Sequence, residues 1–134
     1  MAYIKINHEI DPRQKILDDI GDISNTIEIS NNNVLVAVYQ RPTTTMLGGQ
    51  KFYVADKVVD EDRFQSKVGL IVAAGPTAFK DPDGTWWQGI EFNLHDWAVI
   101  PPSAAQSMLV NGVMCRLVAD QYIKCRVTDP DVIY

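Results

Sequence analysis

His95 and Asp96 are adjacent, and a histidine held by a carboxylate is the base half of a nucleophilic triad. That chemistry needs a serine or cysteine on a sharp strand-to-helix turn, and no such elbow accompanies the pair. The pair is therefore expected in a turn. Cys115 and Cys125 stand ten apart with no histidine close by in sequence. They could form a disulfide or share a metal, but the pattern fits two small apolar strand residues better. Asp60-Glu61-Asp62 groups three carboxylates in sequence only, because consecutive side chains diverge on any regular element. A solvated charge run is expected there. Asp81-Pro82-Asp83-Gly84 opens like a calcium loop, lacks the downstream ligands, and reads as a turn. Phosphate loops, nucleotide fingerprints and metal-ligand clusters do not occur. The expectation is no catalytic, cofactor-binding or metal residue, and no enzyme. Of Trp86 and Trp87, one should pack in the core, since neighbours on a strand face opposite sides. The other, Trp86, is a candidate contact anchor.

The wider composition is that of an ordinary soluble globular chain, not a disordered one. The chain has 134 residues, 46% apolar and 22% charged, which suits one globular domain. Seventeen acidic against twelve basic residues give a net charge of -5. Nucleic acid is thus not expected as a partner, because phosphate neutralisation needs a basic surface. No apolar run approaches the ~20 residues of a membrane helix, and no signal peptide opens the chain. Two cysteines point to synthesis in a cytosol.

Residues 1–33 read as an acidic arm with a sticky face. Asp11 can cap a helix, Pro12 suits its first position, and Gln14 completes a box-like pair. The helix is expected over about 12–20, with Ile16, Leu17 and Ile20 on one face and Gly21 as its stop. Ile27 and Ile29 alternate with polar residues, a strand signal. Burial of each isoleucine is worth roughly 1.5–3 kcal/mol, so the arm should dock on its own sheet or on a neighbour.

After Asn31-Asn32-Asn33 the pattern becomes short strands between turns. Strands are expected at Val34–Tyr39, Phe52–Val54, Val68–Ala74, Trp97–Ile100, Met108–Val110, Val113–Cys115 and Gln121–Val127. Pro42–Gly49 reads as loop. Asn111-Gly112 is a strong hairpin signal. The fold class is mostly β, a small barrel or sandwich.

From residue 34 onward the order of features resembles the GroES-type co-chaperonins, in the versions that tailed bacteriophages encode. The first strand is followed by a polar loop with Gly48-Gly49. Then come Asp60-Glu61-Asp62-Arg63-Phe64 and Leu70-Ile71-Val72-Ala73-Ala74-Gly75-Pro76. His95-Asp96-Trp97-Ala98-Val99 matches the family's strand entry, and Val110-Asn111-Gly112-Val113 its late hairpin. The resemblance implies a small GroES-like β-barrel over 34–134 that assembles into homo-oligomers, with a long loop at about 43–66 as the gripping element. In the family a glycine pair is followed directly by three apolar residues. Here Gln50-Lys51 intervenes before Phe52-Tyr53-Val54.

Two roles follow as expectations. The first is a structural virion protein of a tailed phage, a capsid decoration or cement-type subunit that binds capsid or other virion proteins. It would be made in the host cytoplasm and reside in the virion. The second is a phage co-chaperonin that caps a chaperonin ring in the host cytoplasm to assist capsid protein folding. The contact residues expected are Ile4, Ile6, Ile16, Leu17 and Ile20 in the arm, and Met46, Leu47, Gly48, Gly49, Phe52, Tyr53 and Val54 in the loop, with Trp86. Neither role needs a cofactor or a membrane.

Overall fold

The computed structural model describes residues 10–39, 44–47, 50–53, 67–84 and 87–133, with the backbone alone for 44–47 and 50–53. The chain is mostly β, with one α-helix among the described residues. That helix, α1, spans Pro12–Ile20. Asp11 caps it, its carboxylate accepting from the Gln14 backbone N–H at 3.4 Å. The return half of the expected box is missing, because the Gln14 side chain donates to Asp18 one turn on instead, at 2.8 Å. Gly21 ends the helix at φ 69°, and its N–H donates to the Leu17 carbonyl.

Six strands form one antiparallel sheet. In chain order they are β1 (Asn33–Val38), β4 (Val68–Ala74), β5 (Trp97–Val99), β6 (Gln106–Val110), β7 (Val113–Ala119) and β8 (Cys125–Val127). Their order across the sheet is β6-β7-β1-β4-β5-β8. No ladder joins β6 to β8 among the described residues. A separate two-stranded hairpin, β2 (Thr44–Leu47) with β3 (Gln50–Tyr53), leaves the chain between β1 and β4. The expected loop at 42–49 therefore contains a strand, in keeping with the β-branched Thr44 and Thr45.

β1 is central and buried on both faces, which its unbroken Val-Leu-Val-Ala-Val run anticipates. Register assigns the faces. Leu35 lies opposite Leu117 and Ala73, and Ala37 opposite Cys115 and Leu70. These residues share one cluster with Trp97, Val113 and the arm's Ile16, Ile20 and Ile23. Val34 and Val36 face the other way, with Ile71, Ala98, Ile100 and Val118. Tyr39 extends the first cluster and meets Trp97 edge-on, with ring centroids 5.5 Å apart. Its hydroxyl donates to Asp131 near the C-terminus.

The described part of the arm, from residue 10 onward, thus docks on its own sheet. Ile16 and Ile20, expected as partner contacts, are buried inside the chain, Ile20 at only 2% exposure. Leu17 is half-buried against the same cluster. Their spacing of four puts both isoleucines on one helical stripe, and the sheet meets that stripe first. Ile27 and Ile29 also pack there, but in an irregular segment rather than the expected strand: the Ile27 N–H donates to the Ile23 carbonyl at 3.0 Å, and no ladder joins 27–30 among the described residues. The helix C-terminus is fixed by Asn111, whose Nδ2 donates to the Ile20 carbonyl at 2.6 Å. Asn111 and Gly112 have φ of 50° and 80°, the left-handed pair that a two-residue hairpin needs. Asn111→Gly keeps that turn but removes the amide. It should cost about 1 kcal/mol in denaturant unfolding, the worth of one hydrogen bond to a helix end.

The last expected strand, 121–127, is divided. Residues Asp120–Tyr122 form a 3-10 turn and only Cys125–Val127 pair in the sheet.

Candidate contact site

Among the described residues read as possible chemistry, His95, Asp96 and Asp81–Gly84 occupy turns, Cys115 the core and Cys125 the exposed strand β8. His95 is exposed at φ 73°, and its N–H donates to the Ile71 carbonyl. Asp96 accepts from the Asn93 backbone N–H at 2.9 Å, closing the turn locally. Asp81–Gly84 is a turn as well, with the Gly84 N–H on the Asp81 carbonyl and Gly84 at φ 67°. Asp60-Glu61-Asp62 lies outside the described residues. No cluster of three histidine, cysteine or carboxylate side chains able to hold a metal occurs among the described residues. Likewise, no helix among them is long and apolar enough to cross a membrane.

Both cysteines are free thiols, Cys115 buried and Cys125 exposed. Cys115 faces the arm-side cluster, and burial pushes its pKa up to about 11. The thiolate is the reactive form, so an aromatic disulfide reagent at pH 8 should titrate one thiol per native chain quickly. The second should react only on unfolding. The raised value also sets a sign: folding favours protonated Cys115, so this contribution to stability is complete below the ordinary thiol pKa. It is lost as pH rises towards about 11.

The roof of the second face is aromatic. Phe79 and Phe92 stack at 5.0 Å, and Trp87 meets them edge-on at 5.5 and 5.3 Å. Asp81 holds this loop by accepting from the Trp87 N–H at 2.9 Å. Trp87 is therefore the packing member of the tryptophan pair, while Trp86 lies outside the described residues. Asp120 ties the roof to the sheet. It is buried, and its two carboxylate oxygens accept from Asn32 Nδ2 at 2.9 Å and from the Phe79 N–H at 2.8 Å.

Sequence reading missed one buried cation. Arg116 lies opposite Val36 and Ser107 on the second face, and desolvation pulls its pKa down. The signal was available: Val113, Cys115 and Leu117 alternate inward, which sends Arg116 to the opposite face of a central strand.

What remains for contact is surface. Ile90 and Leu94 of the roof loop, Leu109 on edge strand β6, Ile10 before the helix and Val132 near the end are all more than half exposed; Leu109 reaches 64%. A groove of about 610 Å³ runs between the arm and the β4 end of the sheet. Of the expected loop contacts, Met46 and Leu47 fall on β2, and Phe52 and Tyr53 on β3. The register pairs Thr45 with Phe52 and Thr44 with Tyr53. Gly48, Gly49, Val54, Ile4 and Ile6 lie outside the described residues.

No protein-family model matches this chain, and no curated protein matches it.

Proposed function

We propose that this chain is a non-enzymatic structural subunit of a tailed-phage particle, a decoration or cement-type protein on a co-chaperonin-like barrel. It works by contact, with copies of itself and with capsid or other virion proteins. The observation that carries this reading is the distribution of apolar surface. Large side chains stand exposed on the roof loop, on an edge strand and beside the arm, and a groove opens between arm and sheet. Isolated exposed apolar residues are ordinary, but Leu94 also lines the apolar groove, and an exposed apolar side chain continuous with such a groove marks an interaction surface. In the His95–Asp96 pair, the Asp96 carboxylate accepts from the Asn93 backbone N–H and closes a turn. The phage assignment draws on the sequence resemblance. The test is quantitative mass spectrometry of purified particles. The expected result is a fixed ratio to the main capsid protein; absence from particles overturns the reading.

A second reading, a co-chaperonin that caps a chaperonin ring, is favoured by the β2–β3 hairpin. It forms a sheet of its own at the place where the resembling family grips, with Gly48-Gly49 between its strands. Capped rings seen by electron microscopy with chaperonin and nucleotide, and lost with Phe52→Asp plus Tyr53→Asp, would favour this reading.

A further inference from the structure

The groove between arm and sheet has a definite chemistry. One wall is the arm, with Ile23, Ile27 and Ile29. The other is Val72 of β4 and the exposed Leu94 in the turn before β5. Its volume of about 610 Å³ falls in the range of ligand clefts. The polar side chains at its border include two carboxylates, Asp22 and Glu28, and no lysine or arginine lines it among the described residues. Asp22 is committed to its charged form, since it accepts from both the backbone N–H and the hydroxyl of Ser24, at 3.0 and 2.7 Å. Asp18 and Asp19 on the helix do not line the groove, and Asp19 is paired with Lys15 at 3.3 Å, so the rim's negative charge comes from Asp22 and Glu28.

We propose that this groove takes an extended apolar peptide segment of a partner protein, one that carries lysine or arginine beside its apolar residues. Apolar side chains of the segment enter between Ile27 and Leu94. Its ammonium or guanidinium groups reach the Asp22 and Glu28 carboxylates at the edge. An acidic or uncharged segment of the same shape gains only the apolar part, so the rim selects the partner's charge. The inference rests on reading the chain as a contact subunit.

The test uses the full chain and two labelled peptides, Gly-Ile-Lys-Ile-Lys-Ile-Gly and Gly-Ile-Glu-Ile-Glu-Ile-Gly, followed by fluorescence anisotropy. The lysine peptide should bind at least about tenfold more tightly, and its affinity should fall as salt is raised. Glu28→Lys and Leu94→Lys alter exposed positions, so melting should be unchanged while lysine-peptide affinity drops about tenfold for each. Equal binding of the two peptides, or wild-type affinity in both variants, overturns the proposal. So does a concentration-dependent dimer that Leu94→Lys abolishes, because the groove would then belong to a second copy. Particles that still incorporate Leu94→Lys, with no peptide binding to the wild type, would remove the groove's partner and leave the structural role standing. Absence of the chain from particles would remove that role whatever the peptides do.

Discussion

Gly75→Ala should destabilise the folded chain by about 3 kcal/mol, the upper end of what overpacking costs. Gly75 follows β4 directly and is buried against the turn that leads into β1. A β-carbon there would lie 2.2 Å from the Asn31 carbonyl oxygen and 2.8 Å from that of Ser30. Both obstacles are backbone, so no side chain can swing aside. The turn cannot retreat cheaply either. The Gly75 N–H donates to the Asn33 carbonyl at 2.8 Å, and the Thr77 N–H to Asn31 at 3.1 Å. Relief would have to separate the arm-to-sheet junction from the roof loop. Gly84→Ala is the control: it has open space but φ 67°, and should cost only about 1 kcal/mol. Urea unfolding of the two variants measures the difference. Equal losses would mean that the close approach at Gly75 carries no energy.

Asp120→Ala should cost a similar amount, again about 3 kcal/mol, for a different reason. The buried carboxylate accepts from the Phe79 N–H and from Asn32 Nδ2. Truncation leaves both donors without that acceptor in a part-buried site, and donors shielded from water are expensive to abandon. Asp120→Asn keeps one acceptor oxygen and should lose about half as much. The effect should also be local. The aromatic stack of Phe79, Phe92 and Trp87 sits on the segment that Asp120 anchors, so Trp87 emission should shift in the alanine variant before global unfolding. A stability change under about 0.5 kcal/mol would show that Asp120 holds nothing in place.

Local signals carried far in this chain, and their failures share a cause. Helix α1 was legible at both ends because capping by Asp11 and Pro12, and termination at Gly21, are backbone effects. The Asn111-Gly112 hairpin was legible for the same reason. Ile27 and Ile29 alternate like a strand, yet their energy comes from side-chain burial against the sheet, which an irregular segment satisfies without a ladder. The strand expected from Gln121 was cut short because Asp120 bonds to Asn32, 88 residues away in sequence. Ile16 and Ile20 were recognised as sticky, but whether a sticky stripe meets its own sheet or another molecule is decided by tertiary geometry. The strand expected over Val68–Ala74 ends just before Gly75, but the close contact of Gly75 with Asn31 has no trace in local composition. The groove was invisible for a related reason: its walls, Ile23–Ile29 and Val72 with Leu94, are brought together only by folding.

We propose that exposed apolar surface, rather than a reactive group, does this protein's work. Hydroxyl-radical footprinting of the native assembly, compared with the isolated chain, tests it directly. Ile90, Leu94 and Leu109 should label readily in the isolated chain and be protected severalfold in the assembly. Unchanged labelling of all three would contradict the account.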